Sequence, residues 1–210
     1  MIKIKNVVKS YGHETVLKHV SAEMEAGKIH GIIGRNGSGK TVLMKCIAGL
    51  ASVDSGTISV GGKIVGKDIE MPANLGAIIE VPGFLPNYSG FRNLKFLADI
   101  RHRIGDEDVR RAMKRVGLDP DSRKWVSKYS LGMRQRLGIA QAIMEKPKLL
   151  ILDEPMNGLD NHGVLETRAL LTELREEGKT LLIASHNPLD IEELCDHVYE
   201  MDAGKMVQKY

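Results

Sequence analysis

One stretch concentrates the residue types able to hold a phosphate: Gly34-Arg35-Asn36-Gly37-Ser38-Gly39-Lys40-Thr41. Its spacing is G-x-x-x-x-G-K-[ST], the P-loop pattern. Gly34, Gly37 and Gly39 let the backbone take positive φ and approach a ligand closely. A run of N–H groups from Asn36 to Thr41, continuing toward Val42, can then face one concavity at the start of a helix, where the dipole also favours an anion. Lys40 adds a mobile cation for terminal phosphates, and the Thr41 hydroxyl suits Mg²⁺. Further along, four apolar residues, Leu149 to Leu152, run straight into Asp153-Glu154. A carboxylate pair at a strand end is costly unless it serves a metal or a proton transfer. Asp153 fits a Mg²⁺-holding acid, and Glu154 is placed to polarise water for attack on a γ-phosphate. Ser185-His186 closes a similar apolar run, which brings His186 to the same sheet edge.

The surrounding pattern shows which elements must position these groups. Ile29 to Ile33 predicts the strand entering the loop, and Val42 to Leu50 the helix leaving it. Ile2, Ile4 and Val7-Val8, with Lys3 and Lys5 outward, predict an edge strand. Val16 to Val20 and Ala22 to Met24 predict a strand pair. Thr57 to Val60, Gly61-Gly62 and Lys63 to Val65 predict a two-residue β-hairpin. Ala77-Ile78-Ile79 predicts a short buried strand ending at Glu80, broken by Val81-Pro82-Gly83. The character then changes. Phe91 to Ile100 has helical spacing, and Val109, Ala112, Met113 and Val116 line one face of a helix running from an Asp106 N-cap to a Gly117 stop. Its arginines and lysines, with Arg101 and Arg103, read as a solvated face. Ser130 heads a helix through Met144, as its N-cap or as a second phosphate site. Leu149 to Leu152 and Thr180 to Ala184 read as parallel strands buried on both faces, with a helix from Gly163 to Glu177 between them. Val198 to Met201 and Lys205 to Val207 predict a closing hairpin. Tyr11 suits either adenine stacking or a half-buried loop, and Trp125 either a core anchor or a surface contact.

Composition narrows the classes. The chain has 210 residues and a net charge of +3. It has no basic tract, so nucleic acid is not an expected partner. Cys46 and Cys195 lack metal or redox spacing and are expected to be small buried hydrophobes in a reducing compartment. No apolar run approaches the length of a membrane span, and Met1 to Lys5 does not read as a signal peptide, so a cytoplasmic location is expected.

The order of these motifs resembles the nucleotide-binding domain of ABC ATPases, over nearly the whole chain. Tyr11 falls at the family's adenine-stacking aromatic. Gly34 to Thr41 is similar to its Walker A loop, and Leu149 to Glu154 to its Walker B strand. Gly158-Leu159-Asp160 resembles the D-loop, and His186 the switch histidine. Tyr129-Ser130-Leu131-Gly132-Met133, just upstream of Walker B, resembles the signature. Two departures stand out. The usual L-S-G-G-Q reads Y-S-L-G-M, and Glu80 replaces a usual Gln. The stretch Ile78 to Asn87 is similar to ATPase subunits of bacterial exporters that protect against bacitracin or lantibiotics.

The resemblance implies an α/β P-loop fold of ABC type. Its core sheet would be mostly parallel, with an antiparallel β part and an inserted helical subdomain. Residues 1–83 and 147–210 would form the nucleotide-binding core and 84–146 the helical part of a single domain. It implies an ATPase using ATP and Mg²⁺, with Lys40, Glu154 and His186 catalytic and Thr41, Glu80 and Asp153 at the metal. It also implies a head-to-tail homodimer, or a paired second ATPase domain, in which Ser130 and Gly132 act in trans. A separate membrane permease would hold the chain at the inner face of the membrane. A soluble ABC-type ATPase acting on a macromolecular assembly is the alternative reading. Members of that kind carry two such domains or a long coiled coil, and neither pattern occurs here.

Overall fold

The computed structural model describes residues 1–209, in two sheets with helices between and beside them. Strand β1 (Ile2–Tyr11) pairs antiparallel with β2 (Glu14–Met24). Strand β3 (Ile29–Ile33) leads through the glycine-rich loop into α1 (Lys40–Ala48). Strands β4 (Ser55–Val60) and β5 (Lys63–Ile64) form the two-glycine hairpin, and β6 (Leu75–Ile78) follows. Helices α2 (Gly90–Arg101), α3 (Asp106–Arg115) and α4 (Leu131–Ile143) come next. The chain ends with β7 (Leu149–Asp153), α5 (Asn161–Glu176), β8 (Thr180–Ser185), α6 (Pro188–Glu192), β9 (His197–Asp202) and β10 (Lys205–Gln208).

The antiparallel sheet has the order β2-β1-β4-β5, so β1 is an interior strand rather than the expected edge. Ile2 pairs with Met24 on one side and with Val60 on the other. Local alternation reveals a half-buried strand but not how many neighbours it has. Likewise β2 is one continuous strand where two were expected. The β1–β2 ladder has three register shifts, one of them a bulge around His19, whose φ of 54° re-aims the chain without ending the ladder.

The larger sheet has the order β10-β9-β3-β8-β7-β6, parallel except for β10. Every residue of β3, β7 and β8 is buried, as expected for strands covered on both faces. Ile151, Leu182 and Ala184 face α1, which lies between the two sheets and buries Leu43, Met44, Cys46 and Ile47 there. Leu150, Leu152, Leu181 and Ile183 face the other way, into a core shared with α2 to α6. The helix after the loop is therefore mostly buried, with Thr41, Val42 and Lys45 only partly so, and the loop it carries is fixed at its base.

Several helix ends differ from expectation. The N-cap of α3 is Gly105 and Asp106 is its first helical residue. Asp106, Glu107 and Asp108 all fall in the first turn, where the dipole favours them. Helix α1 starts at Lys40, ahead of Val42, and stops at Gly49, whose φ is 80°. Helix α6 was not expected, because five residues carry no usable periodicity. Its Asn187 cap and Pro188 at N1 were the available signal. Trp125 is 52% exposed and so is a surface residue. Cys46 is buried as expected, whereas Cys195 is only partly so. The basic helical face is laced with ion pairs such as Arg110–Asp121 at 2.6 Å and Arg101–Glu145 at 2.8 Å.

Candidate active site

Strands β3, β8, β7 and β6 are neighbours in that order and run parallel. Their carboxyl ends therefore present Gly34, Ser185-His186, Asp153-Glu154 and Glu80 along one edge. Ligands of open α/β sheets bind outside such an edge.

The loop is closed by its own lysine. Lys40 is buried, and its Nζ donates to the carbonyls of Gly34 at 2.6 Å and Arg35 at 3.2 Å. Gly39 holds φ of 109° at the N-cap of α1, where no side chain caps the helix. A side chain at Gly34 would collide with the Met201 carbonyl, so the loop lies against β9. Ser38 Oγ is buried with no hydrogen-bond partner. A buried orphan hydroxyl is costly on its own, and a phosphate oxygen would satisfy it. The Val42 side chain packs into the inter-sheet core, which leaves only its backbone for a ligand.

Thr41 Oγ1 donates to Asp153 Oδ2 at 2.6 Å, joining residues 112 apart in the chain. Burial, above all, pushes the Asp153 carboxyl up from its ordinary value, and Glu154 and Glu80 push the same way. Glu154 has φ of 50°, an uncommon backbone for a residue with a Cβ. It is held there from three directions. Its N–H donates to Ala184 O at 2.9 Å, its carbonyl accepts from Gln135 Nε2 at 3.0 Å, and Ser185 Oγ donates to its Oε2 at 3.3 Å. His186 Nδ1 lies 2.9 Å from the same oxygen. His186 also borders two cavities. One, of about 530 Å³, is lined by Glu154, Gly158 and Asp190, and the other, of about 710 Å³, by Gly34, Arg35 and Lys205. No cluster of three or more His, Cys, Asp or Glu side chains able to hold a metal occurs among the described residues.

Other expected residues are placed differently. Glu80 is not turned to Thr41 or Asp153; its Oε1 lies 2.7 Å from Lys45 Nζ. Tyr11 is 50% exposed at the end of β1, with Lys9 Nζ over its ring, 5.1 Å from the centroid. Ser130 Oγ caps α4 by accepting from Met133 N at 3.1 Å. Gly132 packs on the Gly158–Leu159 loop, where an added Cβ would lie 3.0 Å from Gly158 O. Neither Ser130 nor Gly132 hydrogen-bonds to Gly34–Thr41 among the described residues. Sequence reasoning missed Lys45 and Gln135. Lys45 sits one helical turn beyond Thr41, a spacing that places both on one face. Gln135 offered no signal.

The chain matches the family model described as ABC transporter over residues 17–157. It is 43% identical to the ABC transporter ATP-binding protein YybJ of Bacillus subtilis, covering 98% of this chain and 94% of that protein. It is also 43% identical to the bacitracin transport ATP-binding protein BcrA of Enterococcus faecalis, covering 100% of this chain and 68% of that one. The fold matches the dimeric ATP-binding cassette MJ0796, bound to ADP and Pi in a post-hydrolysis state. That match has a TM-score of 0.89 at 21% identity and covers 100% and 99% of the two chains.

Proposed function

The chain belongs to the ABC transporter family of ATPases, and from that premise we propose that it drives a separate membrane permease exporting a peptide antibiotic. The observation that carries the catalytic part is the Thr41–Asp153 and Glu154–His186 pairing at one sheet edge, beside a loop whose Ser38 hydroxyl lacks a protein partner.

In this reading the N–H groups from Asn36 to Val42 hold the phosphates, and Lys40 leaves its carbonyl partners for the terminal ones. Gly34, Gly37 and Gly39 keep the cradle open, and Tyr11 takes the adenine face. Glu154 accepts a proton from the attacking water as its oxygen bonds to the γ-phosphorus and the β–γ bridge breaks. His186, bound to Glu154, orients that carboxylate and contacts the γ-phosphate. Thr41 and Asp153 offer hard oxygen ligands of the kind Mg²⁺ takes beside phosphates and water. Bound Mg²⁺ would neutralise charge on the β- and γ-phosphates. Glu80 would join it only after leaving Lys45. Ser130 and Gly132 serve the loop of a second copy.

Two features support the transport assignment. The loop after Glu80 is tied to α2 through buried Asn93, which bonds Leu85 N and O at 2.7 and 3.1 Å. Beside it, Val81, Tyr88, Phe96 and Ile100 are exposed, a surface suited to a permease at the inner membrane face. The peptide-antibiotic assignment rests on the likeness to BcrA.

Glu154→Gln tests the chemistry. It should keep ATP binding while turnover falls at least about 100-fold, and normal steady-state hydrolysis would remove Glu154 from the mechanism. Capture of the tagged chain from native membranes tests the partner. A multi-span membrane protein should copurify, and loss of the chain should raise sensitivity to bacitracin-class peptides. Unchanged sensitivity would rule out the substrate class.

A further inference from the structure

The Lys45–Glu80 pair takes no part in the proton transfer just described, and as long as it holds it keeps Glu80 from the metal, at the border of the site. Lys45 follows Thr41 by one turn of α1, so one helix face carries both the hydroxyl that meets Asp153 and the ammonium that meets Glu80. Glu80 follows β6 with φ of 63°, a left-handed backbone that a glutamate seldom adopts. The side chains are 30% and 62% exposed, so the pair is a surface one that exchanges readily. Three carboxylates, Glu80, Asp153 and Glu154, gather where a polyanion has to land. Lys40 is the cation of the loop itself, and Lys45 is a second one that the loop motif does not include. Asp153 and Tyr11 are the other titratable groups that bear on Lys45.

We propose that Lys45 is a positioning residue that holds and neutralises the Glu80 carboxylate, so that nucleotide phosphates can enter before a cation screens them. This rests on the reading of Gly34–Thr41 as the ATP cradle. With Lys45 present, Glu80 is turned to α1 and its charge is cancelled locally. With Lys45 gone, the same carboxylate, still beside Asp153, adds an uncompensated negative charge next to the incoming phosphates.

The experiment is a double-mutant cycle read by titration calorimetry with ATP in EDTA, which isolates charge repulsion from turnover. Lys45→Met should weaken metal-free ATP binding about fivefold or more, and Lys45→Arg should restore it. In a Glu80→Gln background, Lys45→Met should cost clearly less, since it then removes a cation but frees no carboxylate. Glu80→Gln alone, which leaves Lys45 unpaired, should bind metal-free ATP at least as tightly as the wild type. That arm also decides the matter if Lys45→Met does not fold. An equal loss from Lys45→Met in both backgrounds, no loss at all, or weaker binding by Glu80→Gln would overturn the proposal. Lys40→Ala separates the two readings. If it binds ATP like the wild type, the cradle itself is wrong. If it loses ATP while Lys45→Met keeps it, only the present inference fails.

Discussion

His30 is fully buried on β3, away from the site. Its Nε2 meets the Glu25 carbonyl at 2.8 Å, so that nitrogen carries the proton, while Nδ1 has no partner. The ring stacks on His197 at 5.3 Å between centroids. Burial first, with His197 adding, pushes its pKa below the ordinary 6.5. The sign follows directly. The unfolded chain takes up a proton below about 6.5 while the folded chain resists, so stability falls as pH drops through that value. The gap in urea midpoint between pH 7 and pH 5.5 should therefore be wider for the wild type than for His30→Phe. Equal gaps would show that His30 does not contribute. None of this was visible in the sequence, where His30 is one polar residue inside an apolar run. What the Gly34–Thr41 spacing did reveal was chemistry that rests on the backbone, because glycine conformations and a helix start are local properties.

At the scale of elements, the contact between β6 and α4 matters most for the site. Helix α4 carries Ser130 at its head and Gln135 against the Glu154 carbonyl. It is seated on β6 through Gly76, where an added Cβ would collide with the Ala142 carbonyl and lie 2.9 Å from Leu150 Cδ2. A helix carbonyl cannot move aside cheaply. Gly76→Ala should thus cost about 2 kcal/mol or more in urea unfolding. Gly62→Ala, at a hairpin turn with φ of 83° and nothing within 4 Å, should cost only the strain of the left-handed backbone, about 1 kcal/mol. Equal costs would mean that the α4 seat is soft. The helices themselves were legible, since α2, α3 and α4 have apolar periodicity and clear ends. Their seats were not, since a glycine in a strand looks the same whether its missing Cβ faces solvent or another backbone.

The whole molecule consists of two sheets clamped on α1, with the helical block packed beneath the parallel sheet. That arrangement holds the P-loop and the Walker B carboxylates at one edge. It leaves Ser130 exposed at the head of α4 and Gly132 against Gly158, with no bond to the loop of the same chain. The proposed assembly of the site from two copies can be read as a change of mass. The Glu154→Gln chain should run as a monomer with ADP and double its mass by light scattering with ATP. A second variant, Ser130→Phe, should abolish that dimer while leaving the ATP affinity of the monomer in place. A monomer under all conditions would count against assembly in trans.

The division between sequence and structure follows from range. The family, the loop, the acidic strand end and most helices and hairpins could be read from the sequence. Each is written in neighbouring residues, as periodicity, capping or a fixed motif spacing. Tertiary structure alone decided that β1 is interior, that β2 is unbroken, that Glu80 answers to Lys45 and that Gln135 steadies Glu154. These depend on which distant segments become neighbours, and a side chain selects its partner from whatever the fold brings within reach. For the same reason the P-loop motif announces a phosphate but is silent about Lys45, one turn beyond its last residue. Only the packing of β6 against β7, beside α1, places Glu80 opposite that lysine.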